Sequence, residues 1–376
     1  MRIVSARQLN RATLDRQLLL RRESLGVPEA VRRVAALQAQ EAASPYLALW
    51  NRLTGFDAAE LDAAFAERRV VKATLMRVTL HAVHRDDYPF FHEAMLGRLR
   101  QSCLGDLRFT SSGLTAADLD ALLPDLAAFA AVPRSRVEVE GFLAARLGNS
   151  HPGVWWALRR FAPLWHAPGP AAWSFGPRPS FVAADTGARP GWGEAATHLV
   201  RRYLAAFGPA TAQDVVQFTL LTAPMVREGL EELGSSLVRL RGPDGRELLD
   251  LAGASLPDDD APAPPRLLGM WDSLLLAHKD RGRFIPPEYR PAVIRRNGDV
   301  LATLHRPPGS RHHPIHQQGG IEATAFHPLG GEAWEGLAAE ARALHAFLAG
   351  REPGVYSRYD YWRPSLPAAE VRLLPA

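Results

Sequence analysis

The segment Leu37-Gln38-Ala39-Gln40-Glu41 sets two carboxamides two positions apart in an otherwise apolar stretch. A carboxamide does not take a proton from water near neutral pH, so Gln38 and Gln40 are not general bases in the usual sense. What such a pair can do is hold a water molecule and turn amide oxygens toward developing positive charge. The plain alternative is two amides that are solvated or cap backbone groups. Glu41 is the rival base, since burial can raise a carboxyl enough for it to activate water. The pattern places the pair at the end of a second helix. On a regular helix the two side chains would point about 200° apart, so only a helix end lets them converge.

Other residues could carry chemistry. His81 lies with Thr79 on one side of an alternating strand, Val78–His84, where it is either a half-buried histidine bonded to backbone or support for the glutamines. His278-Lys279-Asp280-Arg281-Gly282-Arg283 concentrates donors in a loop, so Lys279, Arg281 and Arg283 are candidate phosphate contacts, with a solvated loop as the alternative. Arg306–Gly320 holds Arg306, Arg311, His312, His313 and His316 beside prolines and glycines, and could project as a hairpin that probes a duplex. A metal reading of these histidines is disfavoured by their adjacent spacing, and no metal or other cofactor is expected. An amine nucleophile would have to be Lys72 or Lys279, the only two lysines among 44 basic residues. Trp155, Trp156, Trp165 and Trp173 read as core packing.

These residues must be positioned by helices and short hairpins. Helical spacing of Leu9, Leu14 and Leu18 marks a first helix within Ser5–Arg22, Pro28 opens a second through Ala36, and Pro45–Leu53 forms a third. Asp57 caps a fourth, two strands follow over Val70–Leu75 and Val78–His84, and Asp86–Arg100 closes the block. Thr115 with Asp118 forms a capping box, and further helices are expected at Glu138–Arg146 and Val154–Trp165. In Gly193–Leu251 one helix ends at Gly208-Pro209, Thr211 and Asp214 cap a second, and Thr222 caps a third that Gly234 ends. Leu237–Arg241 and Glu247–Leu251 then form a hairpin. Three helices and a hairpin is the order of a winged helix, used mainly on DNA. The third helix exposes Arg227, Glu228, Glu231 and Glu232, an acidic face that repels phosphate and argues against an ordinary one-domain repressor.

The expected fold is mainly α with small β-hairpins (α+β). Tandem winged-helix modules span 1–112, 113–190 and 191–255, a linker covers 256–265, and a β-rich C-terminal domain with a terminal helix covers 266–376. In that last domain Pro291–Arg296 and Asp299–His305 are expected to pair around an Asn297-Gly298 turn, with a strand at Ile321–Phe326 and a helix at Glu332–Leu348.

The 376 residues, 47% hydrophobic and 22% charged, exclude wholesale disorder and fibrous repeats. A net charge of +4 permits a polyanionic partner without requiring one. A lone cysteine, Cys103, excludes an internal disulfide and multi-cysteine metal sites and fits a reducing compartment. No run of about 18 apolar residues suits a membrane span. A cytoplasmic monomer associated with the nucleoid is expected.

Gln38-Ala39-Gln40, the Pro45–Arg52 segment, Met76-Arg77-Val78-Thr79-Leu80-His81 and Met270–Arg281, with Arg283-Phe284 after it, together resemble the AlkZ-type winged-helix DNA glycosylases over nearly the whole chain. The resemblance implies tandem winged helices and a C-terminal β-domain arranged as a C-shaped DNA clamp. It implies that Gln38 and Gln40 serve the cutting of N-glycosidic bonds of N7-alkylated purines, interstrand crosslinks included, with Glu41, Thr79 and His81 as support. Relatives of another branch carry Gln-x-Asp, and Gln40 favours the crosslink branch. Arg77, Lys279, Arg281 and Arg283 would contact DNA, as would Arg306, Arg311, His312, His313 and His316. The implied partner is double-stranded DNA bearing such lesions, and the implied role is repair or self-resistance to an alkylating toxin. A catalytically silent winged-helix binding protein is the rival reading.

Overall fold

The computed structural model describes residues 1–305, 310–312, 315–316, 320–352, 354–357, 359, 366 and 368–375. Strand β1 (Arg2–Ile3) leads into α1 (Ala6–Arg16), whose N-cap Ser5 and Gln8 form a reciprocal capping box. Helix α2 (Val27–Arg33) stops short of the glutamines, and Ala35, at φ 67°, turns the chain into strand β2 (Leu37–Gln38). Next come α3 (Ser44–Arg52), α4 (Ala58–Ala66), β3 (Val70–Thr74), β4 (Leu80–His84) and α5 (Tyr88–Leu104). Gln38 therefore lies in a strand and not at a helix end, and Gln40 follows in the bend that leads toward α3.

Helices α6 (Leu107–Thr110) and α7 (Ala116–Phe129) precede strand β5 (Arg134–Ser135), helices α8 (Arg136–Leu147) and α9 (Pro152–Phe161), and strands β6 (Leu164–Ala167) and β7 (Ser180–Ala183). The expected helix reaching Trp165 thus ends at Phe161, because Pro163 removes a donor and Leu164–Ala167 pairs with β7. Strands β2, β4, β3, β6, β7 and β5 lie in that order in one sheet. Residues 37–183 therefore share a single sheet, in which β2 is an edge.

Helices α10 (Trp192–Phe207), α11 (Ala212–Thr219) and α12 (Ala223–Leu233) lead into the hairpin β8 (Leu237–Arg241) and β9 (Glu247–Leu251), in the order expected. Strand β1 extends that hairpin by pairing parallel to β8. Gly229 lets α12 press on α10, since a Cβ there would sit 3.2 Å from Val200 Cγ2. Arg227, Glu228, Glu231 and Glu232 are exposed, so the acidic outer face of α12 is present.

Strand β10 (Arg266–Leu268) opens the C-terminal sheet and is followed by α13 (Ser273–Leu276) and α14 (Arg290–Val293). Pro291 sits in the first turn of α14, which suits proline's fixed φ, so the expected first hairpin arm starts as helix. Around the Asn297-Gly298 turn the pairing is short, with a bridge between Ile294 and Val300 and the Arg295 N–H donating to the Asp299 carbonyl at 2.9 Å. Strands β11 (Thr303–His305), β12 (Ser310–His312), β13 (Ile315–His316) and β14 (Gly320–Ala325), helix α15 (Gly331–Ala349) and strand β15 (Glu370–Pro375) complete the chain. Leu267, Ile321, Trp334 and Leu337 pack in one core with Val31, Tyr46 and Leu49, so the C-terminal sheet is welded to the block that carries the glutamines. Among the described residues no helix is long and apolar enough to cross a membrane.

Candidate active site

Strand β2 is only two residues long and depends on β4: Leu37 lies opposite Ala82, Gln38 lies opposite His81, and the Ala39 N–H donates to the Leu80 carbonyl at 2.8 Å. Gln38 is buried at 5% exposure whereas Gln40 is exposed, so the pair straddles the edge of the protein interior. Gln40 makes no side-chain hydrogen bond to a described residue. Gln38 also borders a crevice of about 10 Å³ with Ser44, Arg52 and Asp272, the room of a single water.

The tight turn between β3 and β4 delivers Arg77. Arg77 and Val78 both adopt left-handed backbone, at φ 54° and 57°, a conformation that is unfavourable for a β-branched residue and is held here by the closed hairpin. The Arg77 Nη2 donates to Gln38 Oε1 at 2.8 Å and lies 3.4 Å from His81 Nε2. Its guanidinium carbon stands 4.6 Å from the ring centre of Phe218 on α11, while Nη1 is sealed from solvent without a hydrogen-bond partner among the described residues. Burial and the neighbouring charge of Arg281 push Arg77 down to about 9, which leaves it a cation at neutral pH. Thr79 Oγ1 donates to the Met76 carbonyl at 3.1 Å and reaches Gln38 Oε1 at 3.5 Å.

His81 is fully buried and fixed in one tautomer. A carbonyl can only accept, so Nδ1 carries the hydrogen that meets Thr79 O at 3.0 Å, and Nε2 is the acceptor facing Arg77. Burial first, then the Arg77 charge, pushes the imidazole down to about 3. His81 is a strand histidine bonded to backbone, as one of the two readings has it, more deeply buried than expected, and it also faces Arg77. Glu41 is half-buried and its Oε1 accepts from Tyr359 Oη at 3.0 Å.

The structure thus gathers Gln38, Arg77, Thr79 and His81 in one cluster, with Gln40 and Glu41 on the chain leaving it. Arg281 approaches from the C-terminal part, its Nη1 3.5 Å from Gln217 Oε1. Lys279 is exposed, and its backbone N–H donates to Asp214 Oδ1 at 2.8 Å. Arg283 is turned elsewhere: it donates to Thr13 Oγ1 at 2.9 Å and borders a cavity of about 460 Å³ with Asn10, Arg11, Asp214 and His278. Arg306 and His313 lie outside the described residues, and only the backbones of Arg311, His312 and His316 are placed, in β12 and β13. Phe218 is not singled out by the sequence, where nothing signals its contact with Arg77.

Lys72 does not serve this site. It lies opposite Ala82 on β4, one register step from the Ala73–His81 pair, so alternation sends its side chain to the other face of the sheet. Its Nζ sits 4.4 Å from the Phe175 ring centre, and burial pushes it from 10.5 down to about 8. The folded state penalises the charged amine, so stability should rise as pH climbs from 8 toward 10.5. Lys72→Met is expected to stabilise the protein at pH 7 by on the order of 2–3 kcal/mol. Equal urea midpoints for variant and parent would contradict that penalty.

The sequence matches the AlkZ-like DNA glycosylase family over residues 31–347. A Streptomyces sahachiroi protein named interstrand DNA cross-link repair glycosylase is 26% identical over 313 residues, which is 78% of this chain and 83% of that protein. The solved structure of the Streptomyces sahachiroi DNA glycosylase AlkZ is similar in fold, with a TM-score of 0.78 and 23% identity over 94% of this chain and 98% of that one. The mixed α/β fold is thus similar to that of a solved DNA glycosylase. The chain belongs to the AlkZ-like DNA glycosylase family.

Proposed function

We propose that this protein is a monofunctional DNA glycosylase that hydrolyses the N-glycosidic bond of N7-alkylated purines and unhooks interstrand crosslinks in double-stranded DNA. The observation that carries the reading is the Gln38/Gln40 pair at a sheet edge, one amide held by Arg77 and the other exposed. An N7-alkylpurine is already cationic. When the C1′–N9 bond breaks, its electron pair neutralises the purine, and no acid is needed to protonate the leaving base. Water adds to C1′ and gives its proton to solvent, leaving an abasic sugar. The barrier lies in the oxocarbenium-like sugar, which oriented amides and a held water can lower. A neutral, buried His81 and a Glu41 held by Tyr359 suit chemistry with little acid–base demand.

The crosslinked base is tied to the opposite strand and does not swing freely into a closed pocket, so a site at the protein's edge suits it better than a sealed one. The same reading treats the helix-and-hairpin modules as winged helices, within the domain limits given above, that form a clamp. Lys279 and Arg281, together with Arg306, Arg311, His312, His313 and His316, supply its DNA contacts, whereas Arg77 and Arg283 are turned inward onto Gln38 and Thr13. A monomer that resists a DNA-alkylating toxin fits these features.

On DNA carrying N7-methylguanine or a bis-N7-guanine crosslink, Gln38→Ala and Gln40→Ala should each lower base release by about 10²–10³-fold while DNA binding persists. Alkali cleavage of the abasic product measures it. Binding without release by the parent protein would favour a silent DNA-binding role.

A further inference from the structure

We infer that Arg77 is a positioning residue that makes the two glutamines unlike: Gln38 presents its amide N–H groups to the substrate as a donor, and Gln40 supplies the acceptor oxygen that holds water. This inference rests on the glycosylase reading above. A guanidinium only donates, so the atom 2.8 Å from Arg77 Nη2 is the Gln38 oxygen and not its nitrogen. Turning the amide over would set NH2 against a buried cation and abolish a charge-assisted bond. The Thr79 hydroxyl lies 3.5 Å from that same oxygen while giving its one hydrogen to the Met76 carbonyl at 3.1 Å.

Arg77 has little freedom to follow a turning amide. Its backbone is left-handed, its plane lies by Phe218, and the same Nη2 faces the neutral His81 Nε2, whose ring is pinned to the Thr79 carbonyl. The bonds run Thr79 carbonyl, His81, Arg77, Gln38, and each fixes the orientation of the next. Gln38 Nε2 donates to none of the described residues, yet it is not among the polar atoms sealed from solvent. It is the end of the amide open to a ligand.

The chemistry separates accordingly. An amide oxygen bonded to a cation is a poor partner for a positive sugar, while the polarised NH2 is a better donor to an acceptor that gains electron density, such as the departing purine. Gln40, exposed and without a side-chain hydrogen bond to a described residue, keeps its oxygen for water.

The test compares variants on N7-methylguanine DNA, with single-turnover base release for the glutamine variants and steady-state kcat and KM for the Arg77 variants. Gln38→Glu keeps the shape and pairs with Arg77 but has no N–H, so base release should fall about 10²–10³-fold, as far as in Gln38→Ala. Gln40→Glu, which keeps an acceptor oxygen, should fall no more than about tenfold. Arg77→Met should lower kcat at least tenfold with KM and melting temperature little changed, and Arg77→Lys should recover most of that loss. Parent-like release by Gln38→Glu, or an Arg77→Met loss confined to KM, would overturn the inference alone. A parent protein that releases no base would overturn the glycosylase reading and this inference with it.

Discussion

Between pH 7 and pH 5 the protein is expected to lose on the order of 5 kcal/mol of unfolding free energy from buried histidines. His81, His92 and His278 are 0, 6 and 4% exposed. Each has a backbone carbonyl as partner: Thr79 for His81 at 3.0 Å, Phe161 for His92 at 2.9 Å and Phe207 for His278 at 3.0 Å. Burial pushes His81 down to about 3, His92 to about 4 and His278 well below its ordinary value. The sign follows from proton counting. Below about 6.5 the unfolded chain binds protons that the folded chain refuses, so stability falls as pH falls, until the folded values are reached. Above about pH 8 these three groups contribute almost no slope. Urea midpoints at pH 7, 6 and 5 measure the effect, to which His166, also pushed down to about 3, adds its own share, and His92→Gln, which keeps a donor for Phe161, should remove about a quarter of the slope. A flat profile would mean that these rings protonate in place.

Breaking the buried pair between Arg52 and Asp272 should cost roughly 3–5 kcal/mol. The guanidinium on α3 meets both carboxylate oxygens at 2.9 Å, and the two side chains are 1% and 2% exposed. Asp272 also caps α13, accepting the Leu274 N–H at 3.0 Å. Asp272→Asn leaves an uncompensated buried cation and should show the full loss. Because most of that loss is the stranded charge, the double variant Arg52→Met, Asp272→Leu should recover the larger part of it. An Asp272→Asn protein within 1 kcal/mol of the parent would show that water or relaxation already compensates Arg52. A loss of base release in Asp272→Asn would be indirect, since Asp272 and Gln38 border the same water-sized crevice.

The parts of the fold that read well from sequence are those whose signals are local. Thr115 with Asp118, Thr211 with Asp214, and the cap residues Asp57 and Thr222 all form the hydrogen bonds expected of helix starts. The Gln38 strand was misplaced at a helix end because two residues carry no periodicity; their conformation comes from β4, some forty positions away. Helix α14 was missed because Pro291 and its neighbours carry no cap, and the Asn297-Gly298 turn drew attention to a hairpin. At the site, the residue types Gln38, Arg77, Thr79 and His81 were all legible, and their mutual contacts were not. That Arg77 would tie the amide of Gln38 and lie beside Phe218 depends on a left-handed turn and on a helix that begins 135 residues later. No short-range pattern encodes that meeting.

Because β2 is a two-residue edge strand read by one neighbour, its register sets which residue faces Arg77. Changing chain length between Ala35 and Leu37 by one residue would put an aliphatic side chain where the amide belongs. Changing it by two would restore the parity of the strand. For anyone redesigning or recombining members of this family, crossover points in that short connector must be counted in even steps.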